Sequence, residues 1–157
     1  VTLTEVNEFQ REETGQWEKN EREVYTGQWM LCELNREFPT WLTIWPRGRM
    51  DKLFGSKTIR TGNEAFDKRF NVSSDDEVAA LHILTPDCAE KILALADSSF
   101  GKLAINLNSD GRLYLAVHSG HGFFDLGKGR EDPAQLRRRF TRELTWFTNM
   151  IDVFRGA

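Results

Sequence analysis

The chain has 157 residues and a formal net charge of −3 at pH 7, and 39% of its residues are hydrophobic. This composition is too apolar for a disordered chain, and a single domain of this length buries about 68–70% of its unfolded surface. Because the net charge is slightly negative, the chain as a whole does not attract nucleic acid, and we expect no nucleic-acid partner.

Cysteine usage and hydropathy add further expectations. Cys32 and Cys88 stand far apart, each beside apolar residues, and we predict two reduced, buried thiols. No stretch approaches the ~20 apolar residues of a membrane-spanning helix, so the chain as given is predicted to be soluble. Because its first residue is Val1 rather than Met, we expect it to be a piece of a longer protein.

The N-terminal residues predict strands. In residues 1–10 the apolar positions alternate but change phase part-way, which indicates a strand with a bulge. Residues 11–23 are charged, with Lys19-Asn20 as turn residues, and predict a loop. Residues 24–34, VYTGQWMLCEL, predict one strand that is central in its sheet, because apolar residues occupy both of its faces.

The signals that follow are shorter. Residues 41–45 contain Trp, Leu and Ile and predict a strand that Pro46 ends. Residues 57–60 predict a short additional strand, and Gly62-Asn63 predicts a turn after it.

The middle of the chain leaves two readings open. Ser74 and Glu77 have the spacing of a capping box, which favours a short helix over residues 75–82. The alternative is a strand over residues 78–84, since AALHIL is too short for its periodicity to decide. His82 lies in this apolar run and is predicted to be a core histidine.

Two helices have clear start signals. Thr85-Pro86 supplies a side-chain acceptor followed by a residue without an N–H group, which predicts a helix over residues 85–98. Asp132-Pro133 repeats this signal and predicts a helix over residues 133–154. Its apolar residues recur at steps of three and four and should face the core; they are Leu136, Phe140, Leu144, Phe147, Ile151 and Phe154.

A hairpin separates these helices. Residues 103–107 and 113–117 alternate between apolar and polar positions around the turn residues Ser109-Asp110-Gly111. The elements together predict an α+β fold, in which an antiparallel sheet is packed by two main helices, about 85–98 and 133–154. We expect residues 1–157 to form a single domain.

Four of the five tryptophans stand before residue 46. If they share one exposed face of the sheet, they form an aromatic platform for a peptide, a sugar or a lipid. The alternative places them in the core or at an interface. The residues of this candidate ligand-binding site are Trp17, Trp29, Trp41 and Trp45.

His118, His121 and Asp125 contain the side chains of a general base or of a metal site. Their spacing matches no known zinc motif, and the glycines between them also fit the end of a strand. A hydrolase built on these three residues is therefore a minor hypothesis. We expect no metal and no cofactor.

Two charged clusters remain. The acidic run Asp75-Asp76-Glu77 supplies only one side of a cation site and is better explained as the negative start of a helix. A basic patch on the last helix could contact lipid headgroups or an acidic partner, or it could be a solvated helix face. This patch consists of Arg137, Arg138, Arg139 and Arg142.

Several short motifs and their spacing resemble those of a known family. They are Phe66, Phe70-Asn71-Val72, Ser74-Asp75-Asp76, Leu84-Thr85-Pro86, Ser109-Asp110-Gly111-Arg112-Leu113 and Ala116. Over residues 20–155 the chain thereby resembles the bacterial family of uncharacterised proteins designated domain of unknown function 3137.

The resemblance implies a location and a class of function. Members look like membrane proteins with hydrophobic segments upstream of a cytoplasmic domain, so the chain would be the C-terminal part of a membrane protein. The family supplies no catalytic residues, and we expect no enzyme. We expect instead a noncatalytic interaction or scaffold domain with an unknown protein partner, at the cytoplasmic face of a bacterial membrane.

Overall fold

A computed structural model of the chain describes residues 2–10, 17–48, 58–121 and 132–156. These residues form an α+β fold, as predicted. The elements are, in chain order, β1 (Thr2–Gln10), β2 (Trp17–Thr26), β3 (Gln28–Glu33), β4 (Leu42–Pro46), α1 (Glu64–Arg69), β5 (Phe70–Ser73), α2 (Glu77–Ile83), α3 (Pro86–Asp97), β6 (Lys102–Leu107), β7 (Arg112–His118) and α4 (Pro133–Arg155).

Five strands form one antiparallel sheet in the order β3-β7-β6-β4-β5. The predicted hairpin is its centre, where Ile105 pairs with Leu115 and Leu107 with Leu113. The predicted strand at residues 41–45 is also confirmed as β4. Residues 58–60, in contrast, are not a strand, although the N–H of Ile59 donates to the carbonyl of Val72 on β5 at 2.8 Å.

A separate two-stranded sheet precedes this one. β1 pairs antiparallel with β2 from Thr2 opposite Thr26 to Gln10 opposite Trp17, so the predicted strand is confirmed. The register shifts because Val24 of β2 has no partner between Leu3 and Thr4. The bulge is therefore in β2, and the prediction of a bulge in residues 1–10 is wrong. The predicted loop over residues 11–23 is wrong from Trp17 onward. Lys19-Asn20 is within β2, because pairing with β1 satisfies the backbone groups of this polar segment more fully than a local turn would.

Gly27 divides the strand predicted over residues 24–34 into β2 and β3. A Cβ atom at Gly27 would lie 2.0 Å from the carbonyl oxygen of Val117, so only glycine permits this approach of two backbones. Next to it, the Tyr25 hydroxyl donates to the carbonyl of Gln28 at 2.7 Å. The prediction of one central strand is therefore wrong, since β3 lies at an edge of the sheet.

One core lies between the sheet and the helices. The Trp146 indole N–H of α4 donates to the carbonyl of Leu95 on α3 at 2.8 Å, which joins the two main helices across that core. The fully buried side chains of at least Leu size are Trp45, Phe66, Phe147, Phe154, Leu42, Ile44, Ile92, Ile105, Leu107, Leu113, Leu115 and Met150.

The two predicted main helices begin where their caps indicate. The Thr85 hydroxyl accepts a hydrogen bond from the N–H of Cys88, and the Asp132 carboxylate accepts one from the N–H of Ala134. For the middle segment the helical reading is confirmed as α2 and the strand alternative is wrong. Its cap is Asp76 rather than Ser74, since the Asp76 carboxylate accepts from the N–H of Ala79 at 3.0 Å.

Two features near α2 differ from the sequence prediction. Gly62-Asn63 does not form an isolated turn, because the Asn63 side chain caps α1 by accepting from the N–H of Phe66 at 3.1 Å. His82 is exposed rather than in the core. Ala80 and Ile83 are the buried residues of α2, and His82 faces away from them on this short helix.

The apolar stripe of α4 is buried in its C-terminal half only. Phe147, Ile151 and Phe154 are in the core, but Leu144 is 42% exposed, and Leu136 and Phe140 are half-buried. A helix of 23 residues is about 35 Å long, whereas strands of six or seven residues span about 20–23 Å. The N-terminal half of α4 therefore has less sheet surface to cover it than the stripe predicts.

A search of the described helices found none that combines the length and the apolar character needed to cross a membrane.

Gly27→Ala tests the close approach of β2 and β7. We expect this substitution to lower the free energy of unfolding by ~2 kcal/mol or more, since the methyl group must displace backbone. Gly156→Ala is the matched control, because a Cβ there meets nothing closer than 3.6 Å and the effect should stay within ~0.5 kcal/mol. Urea unfolding followed by tryptophan fluorescence measures both, and equal losses would contradict the assignment.

Candidate functional site

The buried carboxylate of Glu143 is the centre of a polar cluster between α4 and the sheet. Glu143 is 1% exposed, and its Oε2 atom accepts a hydrogen bond from the Gln28 amide at 2.8 Å. Its Oε1 atom lies 3.4 Å from Nε2 of His121 and 3.9 Å from Nε of Arg139. A buried carboxylate needs such partners, because an isolated one loses several kcal/mol of solvation.

Gln28 connects this cluster to the edge of the sheet. It is the first residue of β3 and is fully buried, and its Oε1 atom has no hydrogen-bond partner among the described residues. The amide keeps its NH₂ group toward Glu143, since the reverse orientation would bring an oxygen against a carboxylate. The cluster therefore fixes the position of α4 relative to β3.

Sequence reasoning missed this role of Glu143. Glutamate is rarely buried, and the prediction for this part of α4 named only the neighbouring arginines. A signal was present, since Glu143 lies three residues after Phe140 and four before Phe147 and thus falls on the apolar stripe. A charged residue in phase with a core stripe indicates a buried polar contact.

The residues of the hydrolase hypothesis have different partners. Nδ1 of His118 accepts a hydrogen bond from the N–H of Thr26 at 3.1 Å, and its ring lies 5.4 Å from the ring of Tyr25. His121 instead contacts Glu143 and, through Nδ1, the carbonyl of Ser119. Asp125 lies outside the described residues.

Burial raises the pKa of Tyr25 to about 12, although its hydrogen bond to the carbonyl of Val117 acts in the opposite direction.

The four candidate tryptophans differ widely in exposure. Trp45 is completely buried, Trp41 is half-buried and Trp29 is 46% exposed; the Trp17 side chain lies outside the described part of the structure. Trp45 and Thr43 lie on the same face of β4. Cross-strand pairs connect Thr43 to Asn106, Asn106 to Tyr114 and Tyr114 to Leu31. Leu31 and Trp29 therefore lie on the same face of the sheet as Trp45. Although Trp29 and Trp45 share this face, Trp45 is not available to a ligand.

The basic patch is smaller than predicted. Arg137, Arg138 and Arg142 are exposed, as a solvent-facing patch requires. Arg139 is different, because its side chain is largely covered and lies near Glu143 and over the ring of Phe140, with 5.2 Å between the guanidinium carbon and the ring centre.

The acidic run at residues 75–77 has a structural role. The Ser74 hydroxyl donates to the carbonyl of Trp41 at 2.6 Å, and the Thr40 hydroxyl hydrogen-bonds to both Ser74 and the Asp75 carboxylate. The hydrogen bond from Thr40 lowers the pKa of Asp75. These bonds attach the start of α2 to the segment before β4.

The described residues contain no group of three or more His, Cys, Asp or Glu that could hold a metal ion.

Within the described ranges, no strand pairs with the outer edge of β3. Because the N–H of Leu34 donates to the carbonyl of Gly111, the even-numbered residues of this strand direct their backbone groups to β7. Trp29, Leu31 and Glu33 therefore direct theirs outward. The backbone groups of Trp29 and Leu31 have no hydrogen bond to another residue in the described ranges.

Two large exposed apolar side chains, Trp29 and Leu31, lie on this edge strand. Among the described residues four large hydrophobic side chains are exposed: Trp29 at 46%, Leu31 at 55%, Leu144 at 42% and Val78 at 67%. Leu144 is about 160° around the α4 axis from Trp146, which faces α3. It is thus on the flank of α4 that turns away from α3. On this flank Arg36, just after β3, donates to the carbonyl of Arg155 at 3.4 Å.

The comparison with known families matches nearly all of this architecture. The profile of a family described as Protein of unknown function (DUF3137) matches residues 23–155, which include the five-stranded sheet and all four helices. The chain belongs to this family. No curated protein and no solved structure matches it. Ser74, Asp75 and Asp76, on which the sequence resemblance rested, attach and cap α2.

Glu143→Ala tests the polar cluster. The substitution leaves the buried Gln28 amide without its acceptor, and we expect a loss of ~3 kcal/mol in the free energy of unfolding. Asp152→Ala is the matched control, because its ion pair with Arg155 is solvent-exposed and should contribute less than ~1 kcal/mol. Thermal or urea unfolding measures both variants. A loss at Glu143 no larger than that at Asp152 would contradict a buried anchoring role.

The two cysteines should react differently. Both are free thiols, as predicted, but Cys32 is only partly buried, whereas Cys88 is buried. Burial, with a smaller contribution from Asp87, raises the pKa of Cys88 to about 12, which keeps the thiol protonated and unreactive near neutral pH. Iodoacetamide at pH 8 should modify Cys32 first and Cys88 only after unfolding in urea. Peptide mass spectrometry measures this order, and rapid modification of native Cys88 would contradict it.

Proposed function

We propose that this chain is a noncatalytic protein-interaction or scaffold domain of a bacterial membrane protein, located at the cytoplasmic face of the membrane. The observation that supports it most is the exposure of two apolar side chains, Trp29 and Leu31, on one face of an edge strand. Adjacent exposed apolar side chains are typical of sites that contact another protein.

The chemistry of β3 supports a protein partner in particular. Strand edges that must stay solvated usually carry lysine, proline or a bulge, which prevents pairing with another chain. From Gln28 to Cys32 the strand has no charged residue and no proline, and its register with β7 is regular. We define the β3 edge as Trp29, Leu31 and Glu33, and we infer that it is the contact surface.

The polar cluster supports a structural rather than a catalytic interpretation of the histidines. Glu143 is almost inaccessible to solvent, and Gln28, His121 and Arg139 surround its carboxylate. His118 uses Nδ1 to accept the N–H of Thr26, a bond that closes the junction between β2 and β7. Each of these side chains thus has a packing role that accounts for its position.

The basic patch supports the membrane location. Arg137, Arg138 and Arg142 lie in the N-terminal half of α4, where the stripe is less completely buried than in the other half. Clustered arginines are attracted to the anionic lipids of the cytoplasmic leaflet, by about 1 kcal/mol for each residue near the surface. In this proposal the patch faces the bilayer, and the β3 edge is left for a protein partner.

Site-specific photo-crosslinking in the full-length membrane protein tests the proposed contact surface. A benzophenone amino acid at position 31 should yield protein adducts in native membranes. The same group replacing Val78 is the matched control, because Val78 is more exposed, at 67%, but belongs to α2 rather than to the β3 edge. Adducts at both positions in equal yield, or at neither, would refute the proposal.

A further inference from the structure

We propose that the β3 edge binds a second copy of this chain, through antiparallel pairing of β3 with β3 of that copy around a two-fold axis at Leu31. The inference rests on the proposed function and specifies its partner. The two five-stranded sheets would form one continuous sheet.

The backbone supplies the pairing groups. Trp29, Leu31 and Glu33 direct their N–H and C=O groups outward, as the phase set by the bond from Leu34 to Gly111 requires. A two-fold axis at Leu31 places Leu31 opposite Leu31 of the second copy and Trp29 opposite Glu33. Every outward residue then faces another outward residue, so all three positions form hydrogen-bonded pairs. A two-fold contact of this kind uses the same surface on both chains.

The side chains match this arrangement. An axis perpendicular to the sheet keeps the face that carries Trp29 and Leu31 on the same side in both copies, so their exposed side chains form one apolar cluster across the junction. On the opposite side, Leu144 projects from the flank of α4 that turns away from α3. The pairing brings the two α4 helices toward each other along this flank.

Charge does not oppose the association. The strand from Gln28 to Cys32 has no charged residue. Glu33 lies opposite Arg112 of β7 within its own sheet and would lie opposite Trp29 of the second copy, so the two Glu33 carboxylates are not directly opposed. Edge strands that are protected against pairing usually carry charges that would repel those of a second copy, and β3 has no such contacts in this arrangement.

The size of the surface sets the expected strength. Six residues of strand span about 20 Å, and a strand plus the helix layer beneath it is about 20 Å deep, which gives roughly 400 Å² for each copy. Interfaces this small are weak, so we expect a dissociation constant on the order of 10–100 µM. Attachment of both copies to one membrane would raise their effective concentration and favour the pair.

Sedimentation equilibrium tests the dimer. The wild-type chain should change from monomer to dimer between about 5 and about 500 µM. Leu31→Arg should remain monomeric, because it places two guanidinium groups opposite each other on the axis. Trp29→Lys is a second disrupting variant, and Val78→Arg is the matched control that should dimerise like the wild type. Circular dichroism and thermal unfolding confirm that each variant is folded.

Crosslinking tests the geometry. Leu31→Cys in a Cys32→Ser background should form an intermolecular disulfide on mild oxidation, whereas Val78→Cys in the same background should not. A wild-type chain that is monomeric at every concentration, a Leu31→Arg variant that still dimerises, or equal crosslinking at both positions would overturn the inference. A monomeric chain whose full-length form gives adducts of a different protein at position 31 would refute only the second copy and leave the proposed function intact.

Discussion

The buried hydrogen bond between Gln28 and Glu143 fixes where the long helix α4 lies on the sheet. A carboxylate that is 1% exposed must keep its partners, so α4 cannot slide along the core as a purely apolar helix could. The bond joins the first residue of β3 to the middle of α4, and the contact of Arg36 with Arg155 joins the same two regions at the other end. Two contacts thereby join the helix to the start of the edge strand and to the residues just after it.

This placement leaves the edge strand open. α3 and α4 share the core face, linked by Trp146 and the carbonyl of Leu95, and α1 contacts both α3 and β5. The β5 edge is covered in part by the bond from the N–H of Ile59 to the carbonyl of Val72. β3 has no corresponding cover among the described residues. The two edges of one sheet thus differ, and Trp29 and Leu31 are exposed at the uncovered one.

The glycine between β2 and β3 contributes to the same asymmetry. The backbones at Gly27 and Val117 approach closely at the point where the chain passes from the two-stranded sheet to the five-stranded sheet. The Tyr25 hydroxyl bridges the carbonyls of Gln28 and Val117, and His118 accepts the N–H of Thr26. The two-stranded sheet therefore leaves the larger sheet at its edge, and β3 begins there with its outer side open.

The sequence by itself determined the elements whose signals are local. Caps at Thr85 and Asp132 gave the two main helices, and alternation around Ser109-Asp110-Gly111 gave the central hairpin, because capping and turn chemistry act within a few residues. Only the tertiary structure decided which apolar positions became core. Alternation cannot show whether a neighbouring strand exists, so Trp29 and Leu31 looked like residues of a central strand and are exposed at an edge, while Trp45 is buried. Burial of Glu143 likewise depends on Gln28, 115 residues away in sequence, a pairing that no local pattern contains.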